Sequence, residues 1–207
     1  MVQNIIFDLG GVLLNIDYQR TITAFQELGI KDFEKVYSQA NQINLFNDLE
    51  IGKIEPSEFY DGIRKLAGIN STDESIKKAW NAMLLDFPIE RFEFLNQVAL
   101  EFNIYLLSNT NQIHLEEFNH IISSQHNGAD LKDYFIEVYY SHVIGHRKPS
   151  EQAFECIIDA HELKKEETIF IDDSFQHIEG AEKVGIKSYW LDTTTETVID
   201  KLGFLLA

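Results

Sequence analysis

Short apolar runs punctuate this chain at wide intervals. Val2 to Phe7 comes first, ended by Asp8 and a turn at Gly10-Gly11. Ile104-Tyr105-Leu106-Leu107, Glu137-Val138-Tyr139-Tyr140, Thr168-Ile169-Phe170-Ile171 and the run Ile186 to Leu191 behind Gly185 are of the same type. Runs this brief, bounded by turn residues, predict strands, and their continuous apolarity predicts burial on both faces. Between them the spacing changes to three and four. Phe92, Leu95, Ala99 and Phe102 share one helical face, and Leu115, Phe118 and Ile122 share another. Ala153, Cys156, Ile157 and Ala160 make a third stripe, which puts Cys156 in the core. Strand–helix alternation of this kind predicts an α/β fold: a three-layer, doubly wound parallel sheet.

One stretch breaks the alternation. From Asp17 to Pro88 the pattern is helical throughout. Tyr18, Ile22 and Phe25 form a stripe closed by Gly29; Pro56 opens a helix that Gly68 ends. Ser71 and Glu74 predict a capping box ahead of Ile76, Ala79, Trp80, Met83 and Leu84. The expected division is an α/β core of residues 1–16 and 89–207 carrying a small all-helical cap, residues 17–88, after the first strand. An insert there roofs the C-terminal edge of the sheet, where open α/β folds bind ligands.

Composition narrows the function. Among 207 residues, 17 Lys+Arg stand against 34 Asp+Glu, a net charge of −17. Nucleic acid and anionic membrane surfaces both require a basic footprint, so neither is an expected partner. The single Cys156 excludes an internal disulfide and a cysteine zinc site. No apolar run reaches the length of a membrane span, and Met1-Val2-Gln3-Asn4 lacks the basic start of a signal peptide, so a cytoplasmic protein is expected.

Four polar features stand where strands end. Asp8 follows Ile5-Ile6-Phe7; a carboxylate at the tip of a buried strand wants a cation or a pairing partner, although a loop aspartate can also simply cap a turn. Asp172-Asp173 follows Ile169-Phe170-Ile171, and two abutting carboxylates suit a hard divalent ion such as Mg²⁺, unless one caps the helix starting near Ser174. Ser108-Asn109-Thr110 offers a hydroxyl and backbone N–H groups to phosphate oxygens, and equally ordinary turn chemistry. Arg147-Lys148-Pro149 places two cations before a helix; in isolation it reads as a solvated charge pair.

Taken together, these segments resemble the haloacid dehalogenase-like (HAD) hydrolase superfamily over essentially the whole chain. Phe7-Asp8-Leu9-Gly10-Gly11-Val12-Leu13 is similar to its first motif and Leu107-Ser108-Asn109 to its second. Gly145-His146-Arg147-Lys148-Pro149 resembles the third, and Ile171-Asp172-Asp173-Ser174 continuing to Gly185 the fourth. Glu50-Ile51-Gly52-Lys53-Ile54 and Trp80 fit the helical-capped sugar-phosphate phosphatases of the α-D-glucose-1-phosphate phosphatase type. The resemblance implies Asp8 as nucleophile forming an aspartyl-phosphate, and Lys148 offsetting charge on it and on the transferring group. It implies Ser108 and the Asn109 N–H on phosphoryl oxygens, and Mg²⁺ on Asp8, the Gly10 carbonyl and Asp173, with Asp172 direct or through water. The implied partner is a small phosphorylated metabolite, taken by a monomer or a weak dimer.

One position departs from the pattern: Gly10 stands where most phosphatases of the superfamily carry a general acid/base aspartate. Such a group contributes about 10²–10⁴ in rate. A substrate with a good leaving group (a sugar 1-phosphate, an acyl phosphate or a pyrophosphate), a stand-in such as Asp17, or a catalytically impaired binding module would each account for it. A 2-haloacid dehalogenase is the other enzyme reading, opposed by the Asp172-Asp173 pair. His142 and His146 read as ordinary polar histidines, and Trp80 and Met83 as cap packing. Glu50, Asn47, Trp80 and Asn81 are the cap residues in line to reach a substrate.

Overall fold

In a computed structural model, which describes residues 1–206 apart from the side chains at positions 34, 38, 39 and 42, the apolar runs do form strands. Ala207, last residue of the expected core, lies outside the described residues. The chain runs β1 (Asn4–Phe7), then helices α1 (Tyr18–Glu27), α2 (Phe33–Gln42), α3 (Leu45–Glu50), α4 (Pro56–Ala67), α5 (Asp73–Asn81) and α6 (Ile89–Val98). It continues through β2 (Asn103–Ser108), α7 (Gln112–Gln125), β3 (Glu137–Tyr140), α8 (Ser141–Ile144) and α9 (Glu151–Ala160). It ends with β4 (Thr168–Asp172), α10 (Phe175–Val184), β5 (Lys187–Trp190) and α11 (Val198–Leu202).

The strands form one parallel sheet in the order β3-β2-β1-β4-β5. Period-two alternation splits their side chains between two apolar layers. Ile5, Phe7, Ile104, Leu106, Ile169 and Ile171 pack with residues of α6, α7 and α11, while Ile6, Tyr105, Leu107 and Phe170 pack with α9 and α10. This is the three-layer, doubly wound architecture. From β1 the chain goes to β2 and β3 on one side and to β4 and β5 on the other. The crevice between the carboxyl ends of β1 and β4 is therefore a topological switch point.

Helices α1–α5 enclose an apolar cluster of their own, with Phe25, Phe46, Phe59 and Trp80 at its centre and Ile113 of α7 joining from below. Pro56 and Gly68 bound α4 as expected, Gly68 adopting the left-handed conformation. Among the described residues no helix is long and apolar enough to cross a membrane.

Three local expectations are corrected. Helix α5 is capped by Thr72, whose hydroxyl accepts the Ser75 N–H, and not by Ser71. On α6 the buried position is Val98, and Ala99 is exposed. On α9 the buried stripe is Ala153, Phe154, Ile157 and Ile158, with Ala160 exposed and Cys156 only half-buried. On both α6 and α9 spacing alone allowed two neighbouring faces, and the larger side chain took the inside.

Gly180 shows how tightly the lower layer holds the sheet edge. It lies inside α10, where alanine ordinarily stabilises by about 1 kcal/mol. A Cβ here would stand 2.6 Å from the Pro149 carbonyl oxygen, a backbone atom of the loop between α8 and α9. Gly180→Ala should therefore reverse the usual sign and destabilise by about 1–3 kcal/mol, read by urea unfolding. A gain in stability would show that the Pro149 loop moves freely.

Candidate active site

Asp8, Ser108 and Asp172-Asp173 stand at strand ends by that crevice as expected, whereas Arg147-Lys148 follows no strand: it lies in the loop between α8 and α9, and Lys148 reaches the crevice from there. Asp8 sits one residue beyond β1, its N–H bonded to the Ile171 carbonyl at 3.0 Å, which aligns it with the end of β4. One oxygen from each of Asp8, Asp172 and Asp173 lies within 4.8 Å of the others. Gly11 makes room for the third: at φ +75° it faces Asp173, and a Cβ would stand 2.3 Å from that carboxylate. Trp190 Nε1 donates to the Asp173 carbonyl at 2.9 Å and fixes its backbone.

Lys148 is no solvated cation. It is wholly buried, and Nζ donates to Asp8 Oδ1, to Asp172 Oδ2 at 2.6 Å and to the Leu107 carbonyl at 2.8 Å. Three acceptors satisfy an ammonium's three donors. Burial opposes its charge, but Asp172 and Asp8 outweigh that and hold Lys148 above its ordinary value. Its main chain is held as firmly. Asn109 Nδ2 donates to the Lys148 carbonyl at 2.9 Å, and the Lys148 N–H donates to Asn109 Oδ1 at 2.8 Å. The Asn109 side chain is thus a splint, leaving its backbone N–H beside buried Ser108 at the tip of β2. Ser141 braces the same loop, accepting the Thr110 N–H and donating to the Thr110 carbonyl, both at 2.9 Å.

Asp172 does both things its sequence allowed. Oδ1 accepts the Ser174 N–H at 2.7 Å at the start of α10, while Oδ2 takes Lys148. His177, one turn along α10, adds Nδ1 to Asp172 at 2.9 Å and places Nε2 3.4 Å from Asn109 Nδ2. Because Asn109 Nδ2 is a donor, Nε2 accepts, and the ring proton on Nδ1 points at Asp172. His177 was not found by the sequence reading; its one signal is a polar residue five positions after Asp172.

The charges are unequal. Burial pushes the Asp8 carboxyl up to about 6, with Lys148 pulling it down and Asp172 raising it. Burial, then Asp8 and Asp172, push Asp173 up to about 7. Asp172 is held below the usual range, because Lys148 and His177 outweigh its burial. Hard oxygen donors crowded until two of them resist ionisation are a donor set that fits a divalent cation.

Above the cluster, a cavity of about 510 Å³ is lined by Tyr18, Glu50, Trp80, Asn109 and Arg147 among others. Tyr18, missed as a site residue, also lines a second opening with Gly11 and Asp173. Of the cap residues in line to reach a substrate, Glu50 and Trp80 line the main cavity; Asn81 instead bonds His114, and Asn47 does not line it. Glu50 pairs with Arg147 at 3.0 Å. Asp17, the candidate stand-in, is occupied elsewhere: its carboxylate caps α1 through the Gln19 N–H, lies 3.6 Å from Arg20, and lines neither cavity.

Comparison with known proteins places the chain in a family. The family model for haloacid dehalogenase-like hydrolases matches residues 2–185. The chain belongs to this family. It is 31% identical over 194 residues to a D-ribitol-5-phosphate phosphatase of Bacteroides thetaiotaomicron, covering 91% of each chain. A HAD family enzyme from the same organism, crystallised with magnesium and inorganic phosphate, superposes with a TM-score of 0.84 at 32% identity, covering 95% of this chain and 97% of that one. A predicted HAD-like hydrolase from Porphyromonas gingivalis gives a TM-score of 0.88 at 32% identity, over 100% and 98% of the two chains.

The electrostatics carry a sign that can be measured. Asp173 titrates near 7 folded against 3.8 ordinarily, so keeping it ionised costs folding stability progressively as pH rises from about 4 to 7. In metal-free buffer Asp173→Asn is expected to gain about 1–2 kcal/mol at pH 8, after allowance for solvent screening, and nothing at pH 4. Urea unfolding at the two pH values checks it; an equal gain at both would place the effect in packing.

Proposed function

We propose that this protein is a Mg²⁺-dependent phosphatase of small phosphorylated metabolites, working through an aspartyl-phosphate on Asp8. The observation that carries the reading is the carboxylate cluster, with Asp8 in the grip of a buried lysine at the sheet's switch point. Asp8, Asp173 and the Gly10 carbonyl, which accepts none of the loop's backbone hydrogen bonds, would hold the ion. Asp172 would stand behind them, its oxygens engaged by Lys148, His177 and the Ser174 N–H. Bound there, Mg²⁺ supplies positive charge between an anionic nucleophile and an anionic substrate. The relatives named as a D-ribitol-5-phosphate phosphatase and crystallised with magnesium and phosphate support the same chemistry.

In this reading an Asp8 oxygen attacks phosphorus in line, the bond to the leaving oxygen breaks, and its electron pair departs with that oxygen. Water then attacks the phosphorus of the aspartyl-phosphate, restoring the Asp8 carboxylate and releasing inorganic phosphate. Ser108 Oγ and the Asn109 N–H hold phosphoryl oxygens, and Lys148 offsets charge as it shifts toward phosphorus. Residues 17–88 act as a cap over a core of 1–16 and 89–207; their separate apolar cluster supports that division. Gly10 offers no proton to a leaving group. The substrates favoured are those whose oxygen departs unaided, the class of sugar 1-phosphates, acyl phosphates and pyrophosphate.

Asp8→Asn should lower turnover of p-nitrophenyl phosphate about 10³-fold or more, and EDTA should abolish wild-type activity until Mg²⁺ is returned. Full activity in Asp8→Asn would sink the nucleophile assignment. Across a series of phosphate esters, kcat/KM should rise as the leaving-group pKa falls. A flat series would mean that some other residue supplies the proton missing at Gly10.

A further inference from the structure

The cap cavity is larger than a phosphate group needs, and its walls describe the rest of the ligand. At about 510 Å³ it falls in the ~300–1,000 Å³ range of small-molecule sites. Ile22, Phe33, Phe46, Trp80 and Met83 contribute to its wall. Three polar side chains of the wall, Thr21, His114 and Asn109, are engaged within the protein. Thr21 Oγ1 donates to the Trp80 carbonyl and accepts the Met83 N–H, both at 3.1 Å. His114 Nδ1 meets Asn81 Oδ1 at 2.9 Å, and burial pushes that imidazole down to about 3, so it carries no charge for a ligand. Both ends of the Asn109 amide hold the Lys148 backbone.

Aromatic stacking is spent too. Trp80 is 9% exposed, with Phe46 stacked at 5.3 Å and 18° and His114 at 5.0 Å and 16°. Its ring is thus engaged by two stacked neighbours, and its buried Nε1 has no partner in the protein. The remaining polar groups are the Glu50–Arg147 pair and the hydroxyls of Tyr18 and Tyr37, which are 65% and 45% exposed. A polyol inserted here would depend on these few groups alone to replace the water its hydroxyls lose, with the apolar side chains making up the rest of the wall. An apolar group meets no such cost and gains from leaving water.

We propose that this site takes phosphate esters and anhydrides whose organic group is an apolar body, seated against Phe33, Phe46 and Met83 with the phosphate at Asp8, in preference to polyol phosphates. The proposal rests on the phosphatase reading above and narrows its substrate class to esters and anhydrides with an apolar organic group, setting aside the sugar 1-phosphates named there.

Asp8→Asn protein, which would hold an ester unreacted, is titrated calorimetrically in Mg²⁺ with inorganic phosphate, phenethyl phosphate, ribitol 5-phosphate and α-D-glucose 1-phosphate. Phenethyl phosphate should bind at least tenfold tighter than either polyol phosphate. Met83→Trp and Ile22→Trp, made in the same background, each fill the cavity. Whichever folds should erase that preference and leave inorganic phosphate binding as before. Polyol phosphates binding as tightly as phenethyl phosphate, or a preference surviving the filled cavity, would overturn the proposal. Wild-type turnover of p-nitrophenyl phosphate is measured alongside. Its absence with the apolar preference intact would remove the phosphatase reading and leave the ligand class standing.

Discussion

A lysine with no exposure to water is the constraint on which the rest of this site depends. Burying an ammonium without partners costs several kcal/mol, so Lys148 exists here only because three acceptors converge on it. Those acceptors come from the tips of three adjacent strands: Asp8 beyond β1, Leu107 on β2 and Asp172 on β4. The ion network and the strand order β2-β1-β4 therefore require each other. The loop that carries Lys148 is held by the Asn109 amide on one side and by the absent side chain of Gly180 on the other. Removing the lysine would strand two buried carboxylates, which makes it structural as well as chemical.

The carboxylates outnumber the cation in contact with them. Asp172 has Lys148 and His177, and stays easily ionised despite its burial; burial pushes Asp8 and Asp173 upward, and neighbouring carboxylates add to it beyond what Lys148 offsets. That inequality is what a divalent ion would relieve, and it explains how a chain of net charge −17 can present a pocket to a phosphate. Net charge describes the outer surface. The crevice is governed by a few groups within hydrogen-bonding distance of one another.

The helical block is coupled to the sheet through the wall of the cavity itself. Trp80 of α5 stacks on His114 of α7, Asn81 bonds the same histidine, and Lys77 reaches Glu116 at 2.8 Å. Gly52, just past α3, lies so close to α8 that a Cβ would stand 2.1 Å from the His142 carbonyl oxygen. The wall of the cavity and the surface that docks the block are thus partly one and the same. A change in either one alters both.

Much of this molecule could be read along the chain. The five apolar runs, the helical insertion, and Asp8, Ser108 and Asp172-Asp173 in order were legible because strand tips are marked locally, by an apolar run that stops at a polar residue. Local pattern failed where two adjacent positions satisfied the same spacing, as with Val98 against Ala99, or Phe154 and Ile158 against Cys156 and Ala160. It failed also for residues whose meaning comes from a partner far away. Lys148 in isolation looked like a solvated charge, because nothing near it in sequence shows that Asp8 lies 140 positions back. His177, Ser141 and Tyr18 had no such marks at all. What the sequence determined by itself was the set of elements and the chemistry at their ends. Which carboxylate holds the lysine, which amide splints it and what lines the cavity were decided only by tertiary structure, since those are contacts between segments that the chain keeps far apart.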